Sequence, residues 1–447
     1  GFLISFLITF FSGGLLWLST RSFRRELIPR DGFLLVTMAW VFLAFYATLP
    51  VYLTIPDLPF THAFFEAVSG ITTTCATILR GLDDLPMSVN FWRCFLAWLG
   101  GIGILVMAVA VLPLLGVGGA QIFRAESTGP LKEGRLTPRI SDTAKAFFNI
   151  YFAISVLCAI CYHMAGMDWD DAIMHTFTTV SLGGFSSHDA GFGYWSTRAV
   201  DYVCVVFLLI GGINFSMHFL VWKKLSPMLY FKDVESCAWL LTALVLTLLS
   251  TFLLVSFETY LNVGDAFYYS VTNVIFVIST SGFANTNYGD WPLVVQLLAL
   301  FGSSFATCAG STGGGIKMIR AIALVKQGGL EFKKILHPRV IAPLVIGNKP
   351  ISNQVIFAIL AFLMLYIAIA FLSTMVFLLT GFDGLTAFST AISCLNTLGP
   401  ALGNLGPAYN FSSLTDFQVL FCTFLMIIGR LELFTVLVLF TRGFWRA

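Results

Sequence analysis

The chain has 447 residues, of which 57% are hydrophobic and only 11% are charged. A soluble protein of this length could not bury so much apolar surface, so the composition predicts a polytopic membrane protein. The net charge of +2 is spread along the chain, which argues against a nucleic-acid partner.

The chain begins with an apolar stretch, Gly1 to Ser19, which is followed by several arginines within residues 21–30. No basic segment precedes the apolar stretch, so it lacks the pattern of a cleaved signal peptide. We therefore predict a leading transmembrane helix. Because there is no initiator Met, we expect the sequence to begin partway through a longer protein, with a further upstream helix as one alternative.

Nine apolar segments are long enough to cross a bilayer, which takes about 20 residues. They lie at roughly 1–19, 33–53, 91–116, 146–165, 199–222, 237–260, 291–324, 355–380 and 415–440. Between pairs of them lie four shorter apolar segments, whose length is typical of re-entrant half-helices. These lie at about 62–74, 171–182, 266–279 and 384–396. The pattern predicts an all-α polytopic membrane protein, with a leading helix and four tandem units of helix, re-entrant pore loop and helix around one central pore.

This repeat predicts how the chain is divided. The predicted segments are 1–30, the leading helix and a basic loop; 31–123, pore repeat 1; 124–232, a cytoplasmic loop and pore repeat 2; 233–336, pore repeat 3 with a broken helix and an intramembrane loop; and 337–447, pore repeat 4. Lys and Arg concentrate at 21–30, 124–145, 223–232 and 317–349. These stretches all fall between units, so the positive-inside rule places them on the cytoplasmic side. The half-helices then enter from outside.

Each half-helix begins near a residue typical of helix N-caps: Thr61, Asp171, Asp265 and Asp383. We interpret these residues as caps, with a vestibule that attracts cations as the alternative. In either case the half-helices direct their C-terminal ends, each carrying a charge of about −0.5, towards the bilayer centre. That arrangement favours a cation over an anion.

A short turn follows each half-helix, and three of the four turns have Gly at the equivalent position. The turns are Thr72–Ala76, Ser181–Phe185, Ser279–Phe283 and Asn396–Pro400. A non-helical turn at membrane depth is tolerated only where it is buried or lines a water-filled path. Backbone carbonyls in such turns can replace the hydration shell of an ion. We predict a filter formed by the carbonyls of Thr74, Cys75, Gly183, Gly184, Ser281, Gly282, Leu398 and Gly399.

The second helix of the third unit is interrupted by small residues. The interruption comprises Ala309, Gly310, Ser311, Thr312, Gly313, Gly314 and Gly315, with Lys317 at its cytoplasmic end. Each Gly costs about 1 kcal/mol relative to Ala in a helix, so a stable helix is not expected here. We predict a flexible intramembrane loop that obstructs the pore under the filter, and a packing kink is the alternative.

Arg430 lies in the middle of an apolar segment, where a charge is costly unless it faces water or a partner. We therefore predict a functional role. The alternative is that Arg430 pairs with Glu432 or another buried acid, although residues two apart on a helix point to different faces.

With these residues, the chain resembles the TrkH/KtrB/HKT superfamily of cation channels and transporters, and within it the bacterial TrkH type. The resemblance covers essentially the whole chain. It rests on the four turns and on Phe123–Pro130, Leu136–Arg139, Gly310–Lys317 and Gly429-Arg430. It implies a K⁺ uptake pore in the bacterial inner membrane, with a short and loosely selective filter and with Arg430 in the permeation path.

The resemblance also implies partners and bound ions. It implies a homodimer in the lipid bilayer and a cytosolic nucleotide-binding regulatory subunit of the TrkA type. Gly313-Gly314-Gly315 lacks the flanking strand and spacing of a phosphate-binding loop, so nucleotide control would come from that partner. K⁺ is the ion expected in the filter, with Na⁺ or Rb⁺ as alternatives, and no organic cofactor is expected.

Cys75 departs from the family, which has Gly in the first turn. A Cβ disfavours positive φ by about 1–2 kcal/mol. Some plant relatives have Ser at this position and favour Na⁺, so Cys75 indicates relaxed selectivity, a natural variant or an engineered residue. A sodium-permeable or poorly selective channel of the same superfamily is therefore the alternative function.

Two other function classes are disfavoured. A secondary cation symporter would show two inverted halves, whereas these four units all enter from the same side. An enzyme is not expected, because the six histidines are scattered and form no catalytic cluster. Cys158 and Cys161 have C-x-x-C spacing but lie in an apolar helix, which favours core packing over redox or zinc chemistry.

Overall fold

The computed structural model describes residues 1–23, 28–110, 140–340, 342–347 and 349–446. The motifs at 123–130 and 136–139 lie outside the described residues, and so does the predicted boundary between residues 123 and 124. Within the described ranges the chain is almost entirely helical.

The helices, in chain order, are α1 (Phe2–Thr20), α2 (Pro29–Tyr52), α3 (Phe60–Ile71), α4 (Met87–Ala110), α5 (Ile140–Ala165), α6 (Trp169–Val180), α7 (Arg198–Gly211), α8 (Phe215–Lys224), α9 (Met228–Lys232), α10 (Val234–Ser256), α11 (Val263–Ile278), α12 (Leu293–Phe305), α13 (Met318–Leu336), α14 (Asn353–Leu379), α15 (Gly384–Asn396), α16 (Asp416–Arg430), α17 (Leu433–Leu437) and α18 (Arg442–Trp445). Strands β1 (Leu344–Ile346) and β2 (Lys349–Ile351) form an antiparallel hairpin. The hairpin is not predicted from the sequence, because its few apolar residues lie within a basic stretch.

Six described helices are long and apolar enough to cross a membrane: α1, α2, α4, α5, α10 and α14. Two pairs of shorter helices pass the same criterion together, although each pair is sharply bent: α7 with α8 by 92°, and α16 with the segment that begins at α17 by 114°. In the third unit a non-helical segment, 306–317, separates α12 from α13. The half-helices α3, α6, α11 and α15 follow the first helix of each unit, which confirms the predicted leading helix and four tandem units.

The prediction of continuous second helices is wrong in the second and fourth units. Helix α7 ends at Gly211, and the Asn214 side chain then caps α8 by accepting a hydrogen bond from the Ser216 N–H at 2.8 Å. Helix α16 ends at Arg430, and Glu432 has a φ of 59°, which an α-helix cannot contain. Apolar residues surround both breaks and conceal them, since hydropathy reports burial but not backbone conformation.

The predicted helix caps are correct at Asp383 and wrong at the other three positions. The Asp383 side chain accepts a hydrogen bond from the Thr386 N–H at 3.1 Å. The other half-helices begin earlier than the predicted caps, directly after Pro59, Asp168 and Asn262. Thr61 instead donates to Asp416, and Asp265 pairs with Arg198 at 2.7 Å. Both contacts join neighbouring units, so these side chains stabilise the assembly of the units.

Glycines on the second helix let the half-helix of the same unit approach closely. A Cβ added to Gly100 on α4 would overlap the carbonyl oxygen of Ile71, at the end of α3. A Cβ added to Gly429 on α16 would likewise overlap the carbonyl oxygen of Leu395 on α15. Small residues therefore determine how deeply each half-helix end lies within the protein.

We expect Gly100→Ala to destabilise the protein, because the added methyl group would force α4 away from Ile71. Overpacking of this kind typically costs about 1–3 kcal/mol. Thermal unfolding of the purified protein in detergent measures the effect. The matched control is Gly14→Ala on α1, where an added Cβ meets nothing within 4 Å. Equal unfolding temperatures for the two variants would contradict the close-approach role of Gly100.

Candidate functional site: four turns above an intramembrane loop

The four turns after the half-helices share a left-handed residue at the same position. The second residue of every turn is left-handed although none is glycine, with φ of 55° at Thr73, 52° at Leu182, 64° at Thr280 and 53° at Thr397. Such a conformation costs a residue with a side chain about 1–2 kcal/mol. A cost accepted at the same position in four units indicates that the turn geometry itself is required.

The second and third turns, and likewise the third and fourth, lie so close together that a side chain would not fit between them. A Cβ added to Gly184 in the second turn would overlap the carbonyl oxygen of Ser281 in the third. One added to Gly282 would overlap the carbonyl oxygen of Leu398 in the fourth. Glycine at these positions is therefore required by the neighbouring turn.

Two further close contacts connect the first turn to the fourth and to the second, so that the turns form a closed ring. A Cβ added to Gly399 in the fourth turn would lie 2.7 Å from the carbonyl oxygen of Thr74 in the first. A Cβ added to Gly183 in the second turn would lie 2.8 Å from the sulfur of Cys75. Each turn thus adjoins the next, and the fourth adjoins the first. The structure brings all eight residues predicted from the sequence into one ring.

Residues 306–317 lie against this ring from the side of the half-helix ends. Thr312 donates to the carbonyl oxygen of Val180 at 3.1 Å, and the Gly314 N–H donates to the Thr280 hydroxyl at 3.0 Å. A Cβ added to Gly314 would also overlap the carbonyl oxygen of Asn396. The segment therefore contacts the second, third and fourth units at once. It is a buried, non-helical loop rather than a bend in a continuous helix.

Arg430 joins the loop to the first unit. Its guanidinium donates to the carbonyl oxygen of Thr312 at 2.8 Å and to that of Gly100 at 3.0 Å. The side chain is 3% exposed. Glu432 is not its partner, because that carboxylate pairs with Arg320 at 2.8 Å. Among the residues that the structure describes, Arg430 forms no ion pair and is held by neutral carbonyl groups.

Comparison with known proteins shows to which family this chain belongs. The sequence profile of the TrkH family, described as cation transport protein, matches residues 1–445. The chain is 40% identical to the Trk system potassium uptake protein TrkH of Vibrio parahaemolyticus, an alignment that covers all of this chain and 92% of the relative. It is 35% identical to the Trk system potassium uptake protein TrkG of Escherichia coli K12, with coverage of 100% and 92%.

A solved structure agrees with the sequence comparison. The crystal structure of the potassium transporter TrkH from Vibrio parahaemolyticus superimposes with a TM-score of 0.90 at 39% identity. The match covers all of this chain and 92% of that one. The chain belongs to the TrkH family. It is a multi-pass protein of the bacterial inner membrane, and its family is one of cation transport proteins rather than enzymes.

Cys75 lies at the fourth position of the first turn and has a left-handed backbone conformation. Its φ is 55°, close to the 69° of Gly282 at the equivalent place in the third turn. The side chain is buried and packs with Cys94, Met174 and Phe185. Cys75 therefore bears the conformational cost predicted from the sequence, and its sulfur fills space between the first and second turns.

In each unit a polar side chain of the half-helix contacts the chain segment that follows the turn and so supports that segment. His175 lies 3.0 Å from the Ser186 hydroxyl, Asn273 donates to Asn285 at 2.6 Å, and Ser389 accepts from the Leu402 N–H at 2.9 Å. In the fourth unit Ser393 of α15 also donates to the carbonyl oxygen of Gly399 in the turn, at 2.8 Å. A carbonyl oxygen has a second lone pair, so this contact leaves Gly399 able to bind another group.

The brace of the first unit is a buried ion pair, Glu66 and Arg93. The Arg93 Nε donates to Glu66 at 2.6 Å, and the two side chains are 0% and 1% exposed. Glu66 also accepts from the Ile78 N–H and from Thr77, both at 3.0 Å. The guanidinium lies 4.3 Å from the centre of the ring of Phe185, the last residue of the second turn. The pair thus supports two neighbouring turns.

Sequence reasoning missed this pair although a signal was present. Arg93 lies within an apolar span just as Arg430 does, and a charge at that position requires a partner. The partner is distant in sequence and becomes apparent only when α3 packs against α4.

Two carboxylates on the side opposite the basic stretches remain ionised at neutral pH. A hydrogen bond from His188, at 2.5 Å, lowers the pKa of Asp83. Hydrogen bonds from Thr386 lower the pKa of Asp383. His188 also lies 3.1 Å from Asp171 in its own unit. Its two contacts therefore connect Asp83 of the first unit with the second unit.

We expect Arg93→Met to destabilise the protein by about 3–5 kcal/mol, because it leaves the buried Glu66 carboxylate without its counter-charge. The double variant Glu66→Gln with Arg93→Met removes both charges and should recover part of that loss. Thermal unfolding in detergent, compared across the single and double variants, measures the coupling. If the double variant were less stable than Arg93→Met alone, the pair would not be the brace described above.

Proposed function

We propose that this chain is the K⁺-conducting pore subunit of a Trk-type uptake system. The observation that supports the proposal most strongly is the ring that a single chain closes with four turns. Such a ring surrounds one axis, and backbone carbonyls around an axis are the usual means of dehydrating a cation. The printed names of the relatives, potassium uptake proteins, agree with K⁺ as the transported ion.

Electrostatics favours a cation at two depths. All four half-helices end at the ring, and each C-terminal end contributes a charge of about −0.5. The predicted outer loops and adjoining helical turns are acidic, and their basic residues are Arg80 and Arg198. The acids are Asp57, Asp83, Asp84, Asp168, Asp170, Asp171, Asp189, Glu258, Asp265, Asp290, Asp383 and Asp416. A mouth of this sign raises the local concentration of cations.

The proposed ion-binding groups are the carbonyls of the eight ring residues predicted from the sequence. The third-position carbonyls of Thr74, Ser281 and Leu398 adjoin a glycine of the neighbouring turn, where no side chain screens them. Cys75 replaces one such glycine. A sodium-permeable or poorly selective channel is therefore the second candidate function, favoured by this one substitution.

We further propose that the loop and Arg430 form the gate. The loop contacts three units under the ring, and Arg430 connects it to the fourth unit's helix and to Gly100 of the first. A monovalent cation about 6 Å from the guanidinium would be repelled by about 2.8 kcal/mol at an effective dielectric of 20. That corresponds to roughly a hundredfold lower occupancy, and movement of the loop would relieve it.

Regulation is proposed to come from outside the chain. The relatives' names place them in a Trk system, which fits a cytosolic nucleotide-binding regulatory subunit of the TrkA type. We also propose a homodimer. Because one chain supplies all four turns, each subunit of such a dimer would contain its own pore.

We expect purified protein in planar bilayers to give unitary currents that are selective for cations, with K⁺ and Rb⁺ passing at least as well as Na⁺. Reversal potentials in KCl and mixed KCl/NaCl gradients measure this. Cys75→Gly should shift permeability towards K⁺, because it restores the glycine of the other turns. A reversal potential that follows chloride would refute the pore, and the absence of unitary currents beside intact ion uptake would indicate a symporter.

We expect Arg430→Ala to raise cation flux into proteoliposomes in the absence of any partner, by up to about a hundredfold according to the Coulomb estimate above. Arg430→Lys retains the charge and should remain near the parent rate. Arg442→Ala is the matched control, since it removes an exposed arginine from the same C-terminal region. Unchanged flux through well-folded Arg430→Ala protein would exclude the gating role.

A further inference from the structure

Glu235 is a buried acid that lies next to the intramembrane loop. It belongs to the first turn of α10, at the predicted cytoplasmic end of the third unit, and is 5% exposed. One of its carboxylate oxygens accepts a hydrogen bond from the Ala309 N–H at 2.6 Å. The same oxygen accepts from the Ile319 N–H at 3.2 Å.

These two donors lie on either side of the glycine-rich part of the loop, residues 310–315. Ala309 directly precedes Gly310, where the glycine-rich part begins, and Ile319 is the second residue of α13, which follows the loop. A single carboxylate oxygen therefore holds Ala309 and Ile319, on the two sides of the glycine-rich part, close to each other. The intervening segment must then return on itself, which directs it towards the ring.

The electrostatics of α13 strengthens this attachment. The N-terminal end of a helix carries a partial positive charge and unpaired N–H groups, and a carboxylate there is stabilising. The first turn of α13 contains no acidic residue of its own. Glu235 supplies the carboxylate from a different helix, so this interaction depends on the closed arrangement of the loop.

The two anchored residues belong to the same buried cluster as the β-hairpin. Ala309 and Ile319 belong to a buried apolar cluster together with Leu344 and Ile346 of β1 and Ile351 of β2. A displacement of the hairpin would therefore act on both sides of the glycine-rich part, where the Glu235 hydrogen bonds lie.

We propose that Glu235 is a positioning residue of the gate, which keeps the intramembrane loop under the ring by binding residues on both sides of its glycine-rich part. This inference rests on the gating role proposed above for the loop. The hydrogen bonds of Glu235 to Ala309 and Ile319 act on the loop, so it should affect the open probability without affecting ion selectivity.

The test compares partner-free cation flux into proteoliposomes for Glu235→Ala, Glu235→Gln and Glu235→Asp. Loss of hydrogen bonds to a charged acceptor shifts a two-state equilibrium by about tenfold or more, so Glu235→Ala should raise basal flux by about that factor. Glu235→Gln keeps an acceptor oxygen and should restore most of the low basal rate. Glu235→Asp keeps the charge but shortens its reach, and should give an intermediate rate. The K⁺/Na⁺ reversal potential should stay at the parent value in all three.

Two further variants make the outcome decisive. Asp233→Ala removes an acid that caps the same helix through Ser236, and it should leave basal flux unchanged. Deletion of residues 310–315 removes the obstruction and sets the rate of an ungated pore.

If the deletion raises flux but folded Glu235→Ala does not, the positioning role is wrong and the gate stands. If the deletion itself leaves flux unchanged, the gate is wrong and the positioning role fails with it. Should Glu235→Ala not fold, Glu235→Asp decides: parent-level flux through folded protein overturns the inference.

Discussion

The structure depends on one constraint, which is that backbone groups cannot be left unpaired inside a lipid bilayer. A half-helix that stops at membrane depth exposes the carbonyl groups of its last turn. Four half-helices in this chain end in turns that adjoin one another in a closed circle. Most carbonyl groups of the last helical turns accept hydrogen bonds from the turns that follow, and the carbonyl oxygens of Thr74, Ser281 and Leu398 lie against a glycine of the adjoining turn rather than against lipid. In the proposed pore, carbonyl oxygens placed in this way would replace the water molecules that hydrate a cation.

Holding such a ring requires support from outside it, and two devices repeat around the molecule. Glycines such as Gly100 and Gly429 admit the half-helix end to within backbone contact of the second helix. Polar side chains within the half-helices then bind the chain segment that follows each turn. Examples are His175 in the second unit and Ser389 in the fourth. The turns themselves are strained, with left-handed residues that are not glycine, and these surrounding contacts offset that cost.

The sequence predicts the repeated features well because each is a local pattern of composition. Apolar segments too short to span, each followed by a turn, suffice to locate the half-helices, and a run of small residues suffices to locate the loop after α12. The breaks near Gly212 and Glu432 could not be predicted in this way. They arise from tertiary contacts, since the Phe215 N–H bonds to Gly310 of the loop and Glu432 bonds to Arg320 beyond it.

Pairing between distant residues explains the other omissions. Glu66 and Arg93 bind each other only after α3 packs against α4, and the role of Glu235 depends on Ala309, which is remote in sequence. The helix caps failed for a simpler reason. Several polar residues lie near the start of each half-helix, as with Asp168, Asp170 and Asp171, and the choice among them follows from contacts between units rather than from propensity.

Three buried arginines differ in whether a neighbouring carboxylate cancels their charge. Arg93 is neutralised by Glu66, and Arg320 by Glu432, so each pair contributes little net charge to its surroundings. Arg430 is as deeply buried, yet its hydrogen bonds go to the carbonyl oxygens of Thr312 and Gly100. Neutral carbonyls orient a guanidinium but do not cancel its charge. Of these three side chains, only Arg430 therefore keeps a long-range positive field, and it does so beneath a ring whose half-helix ends attract cations. In the proposed gate, this charge would repel cations just below the ring that attracts them, and it would move together with a loop that contacts three units.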